Sequence, residues 1–145
     1  MYKVVVVGTD GSPTADVAVQ AAADIARLLG AELHIVTATR APRAQLGAAS
    51  GAPLVDTGAG AALAEEAGQR VGERAVAAIG SGLQVRTHSR QGNADDVILG
   101  TAVDVGADLI VVGSKGMRGA RRYLGSVPNS VAHGAHCAVL IVKTD

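Results

Sequence analysis

The sequence predicts a single α/β domain over residues 1–145, built on one open, five-stranded parallel sheet with helices on both faces, a Rossmann-like arrangement. Short apolar runs alternate with longer amphipathic segments in the order βαβαβαβαβ, which is typical of parallel strands joined by crossover helices. Glycine ends several of these segments, as at Gly8, Gly30 and Gly106. With right-handed crossovers we expect the strand order 3-2-1-4-5.

The first part of the chain predicts a strand, a helix and a second strand. A run of valines closed by glycine makes Lys3–Gly8 a buried strand. Ser12 and Pro13 indicate a helix start, because serine is a favoured N-cap and proline fits the first helical position. Gly30 should end this helix, and Glu32–Ala38 should form the second strand. The apolar helix face is expected at Ala18, Ala21, Ala22, Ile25, Leu28 and Leu29.

The middle of the chain is the least periodic part. Residues 40–60 contain two prolines and several glycines, which favours a loop that could serve as a functional flap. A second helix is expected over Ala61–Ile79, in which Gly68 and Gly72 should each cost about 1 kcal/mol relative to alanine. Its apolar face is expected at Leu63, Ala67, Val71 and Ala75.

The second half repeats the alternation. Leu83–His88 predicts the third strand, and Asn93 should cap a third helix that stops at Gly106. Asp108–Gly113 has a fully apolar centre and predicts a buried fourth strand. The last strand is expected at Ala138–Val142.

Composition excludes several classes of partner. Thirteen basic and thirteen acidic residues give a formal net charge of zero, which argues against a broadly basic nucleic-acid-binding surface. There is no Trp, no Phe and only two Tyr, so a bound base would lie between aliphatic side chains and be recognised by backbone groups. No apolar stretch approaches the roughly 18 residues of a membrane span, so we expect no membrane partner.

The compartment is expected to be the cytoplasm. Cys137 is the one cysteine, which excludes an intramolecular disulfide framework and suits a reducing environment. The residues Met1–Val7 lack the layout of a signal peptide, because their apolar run is short and leads directly into a turn.

Two unusual loops follow the first and fourth strands. In open α/β sheets, ligands bind beyond the carboxyl ends of the strands where the strand order reverses. The first loop spans Gly8–Pro13, and the second spans Gly113–Gly119 and continues to Pro128. Neither contains a Walker A sequence or a G-x-G-x-x-G dinucleotide fingerprint.

The second loop has the composition of a phosphate-binding cradle. Gly113, Gly116 and Gly119 lack Cβ atoms, so backbone N–H groups can approach an anion. Gly125 precedes Ser126, which should cap a short fourth helix whose free N–H groups favour phosphate. Four cations lie close together at Lys115, Arg118, Arg121 and Arg122. The spacing alone fits an ordinary glycine-rich surface turn with solvated charges equally well.

These motifs together resemble the universal stress protein family. Gly113-Ser114-Lys115-Gly116, followed by Gly125-Ser126, is similar to that family's G-x-x-G…G-[ST] nucleotide signature. The opening Val5–Ser12, the segment Arg90–Ala94 and the ending His136–Val142 are similar as well, so the resemblance covers essentially the whole chain. Eight residues separate Gly116 from Gly125, whereas the family usually has nine.

The resemblance implies an adenine nucleotide alpha hydrolase-like fold and an adenine nucleotide as ligand, either ATP, AMP or cyclic AMP, with magnesium possible. It implies that Asp10 hydrogen-bonds the ribose or holds magnesium, that Gly8 and Thr9 line the base pocket, and that Thr37 offers backbone groups to adenine. Asp10 as a turn residue bonded to its own loop is the alternative. The residues expected to bind the nucleotide are Gly8, Thr9, Asp10, Thr37, Val112, Gly113, Ser114, Lys115, Gly116, Met117, Arg118, Gly119, Gly125, Ser126 and Val127.

The resemblance favours a nucleotide-binding, stress-response signalling module over a dedicated enzyme. One alternative is a weak magnesium-dependent ATPase that uses Asp10, and another is a dimeric scaffold that binds no nucleotide. Other candidate chemistry is weaker: His133, His136 and Cys137 are too few for a metal site, and Glu65 and Glu66 should be solvated.

The last strand predicts a homodimer. Ala138–Val142 is apolar throughout and has no charge, proline or bulge to protect a sheet edge. The simplest arrangement pairs two such strands antiparallel about a two-fold axis. The alternative is a monomer whose edge is covered by a helix or by residues 40–60.

Overall fold

The computed structural model describes residues 1–40, 58–115 and 124–144. Nine helices and strands lie in these ranges, and they alternate as the sequence predicts. Most predicted bounds agree within two residues; the third strand lies further along the chain than expected, and the second helix begins two residues earlier. The elements are β1 Val4–Gly8, α1 Pro13–Leu29, β2 Glu32–Thr39, α2 Ala59–Ile79, β3 Val85–Gln91, α3 Ala94–Val105, β4 Leu109–Gly113, α4 Ser126–Gly134 and β5 Ala138–Val142.

All five strands are parallel and lie in the order β3-β2-β1-β4-β5, which confirms the expected topology. β1 is central, and its residues Val5, Val6 and Val7 are fully buried. α1 and α2 pack on one face of the sheet, while α3 and α4 pack on the other. The direction of strand order reverses between β1 and β4, so the loops that follow these two strands diverge and leave a cleft.

The buried face of α1 carries smaller side chains than the sequence suggested. Ala18 and Ala22 are buried as expected, but Leu28 is 85% exposed. The face that meets the sheet is made of Ala18, Val19, Ala22, Ala23 and Ala26. Small side chains let the helix axis approach the valines of β1, and Leu28 falls outside this stripe at 100° per residue.

The buried face of α2 also differs from the expected one. Leu63 is 63% exposed and Ala67 is exposed, whereas the buried residues are Gly68, Gly72, Ala75 and Ile79. A Cβ atom at Gly68 would lie 2.6 Å from Cγ2 of Thr39 and would also collide with the Ser89 hydroxyl. The two glycines are therefore the positions where α2 packs closely on β2 and β3, in addition to being weak helix formers.

The helix ends follow the sequence with one correction. The Ser12 hydroxyl accepts from the Ala15 N–H at 3.2 Å, and Gly30 ends α1 in the left-handed region at φ 64°. At α4 the N-cap is Gly125, with φ −59° and ψ 161°, so the expectation that Ser126 caps this helix was wrong. Ser126 already has a helical backbone, which leaves the start of α4 without a side-chain cap.

We expect Gly68→Ala to destabilise the protein by about 1–3 kcal/mol, although alanine is the better helix former, because the added methyl group has no room. Gly100→Ala is the matched control, since Gly100 is an exposed residue of α3 and no atom lies within 4 Å of the place its methyl group would take. The control should gain about 0.5–1 kcal/mol. Urea unfolding of both variants measures the difference, and equal stabilisation of both would contradict close packing at Gly68.

Candidate functional site

A cleft of about 620 Å³, open to solvent, lies at the carboxyl end of the sheet between the loops that follow β1 and β4. Its wall combines residues from both loops with residues from β2 and from the first turns of three helices. The lining residues are Gly8, Thr9, Asp10, Ser12, Ala15, Val36, Ala38, Ala94, Ile98, Val112, Gly113, Lys115, Val127 and Pro128.

The floor of the cleft is aliphatic. Val36 and Ala38 come from β2, Val112 from β4, Ile98 from α3 and Val127 from α4. Ile98 packs so closely that a Cβ atom at Gly8 would lie 2.5 Å from its Cδ1 atom. Such a floor can accept the flat, apolar faces of a heterocycle without an aromatic side chain, as the composition predicts.

The loop after β1 is fixed by its own side chains. The Thr9 N–H donates to the Val36 carbonyl at 2.9 Å, and the Thr9 hydroxyl accepts from the Gly11 N–H at 3.1 Å. Asp10 Oδ1 accepts from the Ser12 N–H at 2.9 Å, so the turn role that the sequence left open for Asp10 is present. The Asp10 side chain is nevertheless exposed in the cleft wall, where a ligand can reach it.

Thr37 does not line the cleft, and its neighbour Ala38 does. In β2, the backbone groups of even-numbered residues face β1, since the Glu32 N–H donates to Lys3 and the Val36 carbonyl accepts from Thr9. The backbone groups of odd-numbered residues face β3, as the hydrogen bond from the Gly92 N–H to the Thr39 carbonyl shows. Thr37 thus turns its backbone groups to β3 and its side chain to the face covered by α1 and α2.

Ala38 is the residue whose backbone faces the cleft. It lies two residues beyond Val36, the last β2 residue paired with β1, so β1 offers no partner to its N–H and C=O groups. They point past the end of β1 into the space that Ala38 lines. One donor and one acceptor on a single residue, above an aliphatic floor, can pair with a heterocycle edge of complementary pattern.

On the other side of the cleft, Ser114 joins three segments. Its N–H donates to the Val142 carbonyl at 2.7 Å, and its own carbonyl accepts from the Gly125 N–H at 3.0 Å. Its hydroxyl accepts from the Thr144 N–H at 3.2 Å. Ser114 therefore positions the start of α4 and the end of β5 and is not part of the described cleft wall.

The first turns of α3 and α4 carry polar groups that no side chain caps. The N-cap residues Asn93 and Gly125 make no side-chain capping hydrogen bond, and the side chain of Asn93 instead binds Arg40 at 2.7 Å and Asp96 at 3.3 Å. Free N–H groups and the positive end of the helix dipole favour an anion there. Val127 lines the cleft in the first turn of α4, whereas Ser126 is exposed and lies outside the described wall.

Seven of the expected site residues line the cleft: Gly8, Thr9, Asp10, Val112, Gly113, Lys115 and Val127. Gly116, Met117, Arg118 and Gly119 lie outside the described residues, as do Arg121 and Arg122. The residues that sequence reasoning missed come from helix starts and from β2, namely Ser12, Ala15, Val36, Ala38, Ala94, Ile98 and Pro128. Except for Ile98, their positions shortly after Gly11, Asn93 and Gly125, or near the end of β2, could have indicated them.

The other chemical candidates do not gather into a site in the described ranges. His133 and His136 are exposed, and the described residues contain no group of three or more His, Cys, Asp or Glu side chains placed to hold a metal. Burial raises the pKa of the half-buried Cys137 thiol, and Glu65 and Glu66 are exposed as expected. None of the helices, over the described residues, is long and apolar enough to cross a bilayer.

Comparison with known proteins gives one consistent result. The universal stress protein family model matches residues 1–143. Universal stress protein A homolog 2 of Coxiella burnetii is 34% identical, over 98% of this chain and 95% of its own. A universal stress protein solved in complex with cAMP is also 34% identical, with a TM-score of 0.69 over 99% of this chain and 98% of that one.

A more distant structure shares the fold alone. The universal stress protein from Archaeoglobus fulgidus, solved in complex with dAMP, is 23% identical and has a TM-score of 0.59, with 98% of each chain covered. The family match, the sequence relative and the five-stranded parallel sheet agree with one another. This chain belongs to the universal stress protein family.

Proposed function

We propose that the protein binds an adenine nucleotide in this cleft and acts as a stress-response signalling module in the cytoplasm. The observation that carries the proposal is Ala38, whose backbone donor and acceptor have no partner on β1 and lie above an aliphatic floor at the point where the strand order reverses. The relative solved with cAMP supports an adenine nucleotide as the ligand class. ATP, AMP and cyclic AMP share the base and differ in the phosphates.

Adenine fits the pattern of Ala38. The adenine edge presents an acceptor at N1 beside a donor at N6, which complements one backbone N–H and one C=O. Gly8 and Thr9 would then flank the base, Asp10 would face the ribose, and the backbone at Gly113 and at the start of α4 would receive phosphate. Lys115, in the wall on the phosphate side, would add a cation.

The base preference tests this assignment. We expect AMP to bind at least about tenfold more tightly than IMP, because IMP presents a donor at N1 and an acceptor at position 6 and leaves both Ala38 groups unpaired. Calorimetric titration with AMP, IMP, ATP and cyclic AMP measures it. IMP carries the same ribose phosphate, so it controls for the rest of the site. Equal affinities would contradict recognition by Ala38, and failure of all adenylates to bind at millimolar concentration would contradict the proposed function.

Magnesium is proposed as part of the bound nucleotide complex. Mg²⁺ is usually held by one or two carboxylates together with substrate phosphates and water. The exposed Asp10 carboxylate in the cleft wall can supply one such oxygen, so the residues present fit a magnesium nucleotide. When bound, the ion would neutralise phosphate charge next to Asp10. The described wall contains Asp10 and Lys115 as its ionisable side chains, which favours binding over rapid hydrolysis.

Asp10→Asn separates the two roles of this residue. The asparagine carbonyl still accepts from the Ser12 N–H, so the melting temperature should change little. Loss of the charge should weaken ATP binding in magnesium and reduce the gain that magnesium gives, by several-fold. Thermal melting and titration with and without Mg²⁺ provide the readouts, and Asp10→Ala is the control that loses both roles. An Asn variant with unchanged magnesium dependence would refute the metal role.

We also propose a homodimer that forms through β5, and a scaffold without nucleotide is the second candidate function. β5 is an outer strand of the sheet, and Leu140 on it is 37% exposed. The Val142 carbonyl bonds to Ser114 of the neighbouring loop, so even-numbered residues of β5 face β4 and the backbone groups of Val139 and Ile141 face outward. An apolar strand with unpaired outward groups can pair with a second copy.

Ile141→Pro is expected to shift the protein toward monomer, because it removes an outward donor and leaves the bonds to β4 intact. Proline at Leu140 would instead break the hydrogen bonds between β5 and β4.

Leu140→Lys is a second variant that keeps every backbone hydrogen bond. Val103→Lys, at a 63% exposed site on α3, is its matched control. Light scattering at tens of micromolar gives the mass. A monomeric wild type would refute the dimer, whatever its nucleotide affinity.

A further inference from the structure

A row of polar side chains crosses β2 and β3 on the face covered by α3. Glu32 and His34 come from β2, and Arg86 and His88 come from β3. His34 Nδ1 and His88 Nε2 are 2.8 Å apart, and His34 Nε2 lies 3.3 Å from Glu32 Oε1. Arg86 Nε lies 2.6 Å from the same Glu32 oxygen. His34 is only 4% exposed although it is polar, and neither it nor His88 lines the cleft described above.

The two imidazole rings meet edge to edge. Their planes are within 20° of each other and their centroids are 5.1 Å apart, so nitrogens 2.8 Å apart must point at one another in the ring planes. This is the geometry of an N–H···N hydrogen bond. One of the two facing nitrogens must therefore carry a proton and the other must not.

The charge of Glu32 favours a proton on one nitrogen of His34. Glu32 Oε1 lies 3.3 Å from His34 Nε2 as an ion-pair contact without hydrogen-bond alignment, and its negative charge stabilises a proton on that nitrogen, which leaves Nδ1 as the acceptor in the neutral ring. His88 Nε2 must then donate to it, and His88 Nδ1 is the site for a further proton. A first proton on the half-buried His88 strengthens the bond. A second proton, on His34 Nδ1, would set two N–H groups against each other and break it.

We propose that His34 and His88 form an acid-labile clamp that holds the edge strand β3 to β2 and opens when the pair takes up a second proton. The charged groups that face the two histidines are Glu32 on β2, Arg86 and Arg90 on β3, and Asp104 on α3. Asp104 forms an ion pair with Arg90 at 2.6 Å. The facing residue of β1 is the apolar Val6. Two carboxylates thus offset two guanidinium groups, and no charge remains to balance a doubly protonated pair.

The direction of the pH effect follows from burial. Burial lowers the pKa of His34, although Glu32 opposes this, and burial together with the neighbouring His34 lowers the pKa of His88. The unfolded chain therefore takes up protons first, below the ordinary histidine value of about 6.5. Stability is fully present above that pH and is lost as the pH falls toward the lowered pKa values of the folded protein.

Ring ¹⁵N NMR across a pH titration of the wild type tests the clamp without any variant. We expect His34 as the Nε2–H tautomer at neutral pH, and two coupled protonation steps with both midpoints below the ordinary histidine value of about 6.5. Independent titration of His34 and His88 with ordinary midpoints would overturn the proposal, as would His34 in the Nδ1–H form.

Thermal melting supplies the second arm. His88→Gln keeps a donor toward His34 but cannot titrate, so its loss of Tm between about pH 7.5 and 5.5 should be smaller than that of the wild type by about 3–5 °C. His136→Gln, at an exposed site, is the matched control and should follow the wild type. An identical pH dependence in wild type and His88→Gln would also overturn the clamp.

Discussion

The structure depends on the parallel pairing of β1 with both of its neighbours. β1 provides the centre of the sheet, and its buried residues Val5, Val6 and Val7 pack under helices on one face or the other. β1 also ends early: its pairing with β2 stops at Val36, whereas β2 continues to Thr39 along β3. This difference in strand length leaves Ala38 without a backbone partner on β1. The cleft, and the donor and acceptor that Ala38 presents there, are consequences of where the central strand stops.

Small residues allow the helices to pack close to the sheet. Alanines form the face of α1, and Gly68 and Gly72 place α2 directly on the strands. The absence of a side chain at Gly8 does the same for α3, which carries Ile98 into the cleft floor. A core without Trp or Phe is therefore compatible with close packing, because small residues on the helices match branched residues on the strands. The same choice produces an aliphatic surface for a flat ligand.

The sequence was sufficient for the topology and for half of the described cleft wall, because both follow from local patterns. Valine runs, helix caps and glycine stops set the order of elements, and glycine-rich loops after β1 and β4 marked the open end of the sheet. Helix faces were less predictable: the hydrophobicity of Leu28 and Leu63 suggested inward positions, but the residues that pack on the sheet are mainly alanine and glycine. The resemblance implied Thr37, one residue from Ala38, and the register between β1 and β2 that distinguishes the two residues cannot be read from either strand alone. Ile98 reaches the site through a tertiary contact that no local motif encodes.

The two edges of the sheet solve the problem of unpaired backbone groups in different ways. β3 alternates Arg86, His88 and Arg90 with Thr87 and Ser89, so charge and polar side chains discourage a second strand from pairing there. This polarity has a cost, since the side chains on the α3 face must be paired beneath a helix, and Glu32, Asp104 and the histidine pair meet that need. β5 has no such polar residues between Ala138 and Val142 and needs no internal pairing. The homodimer proposed above would use the apolar edge alone, and the pairing of two copies of one edge would give a closed pair and no open fibre.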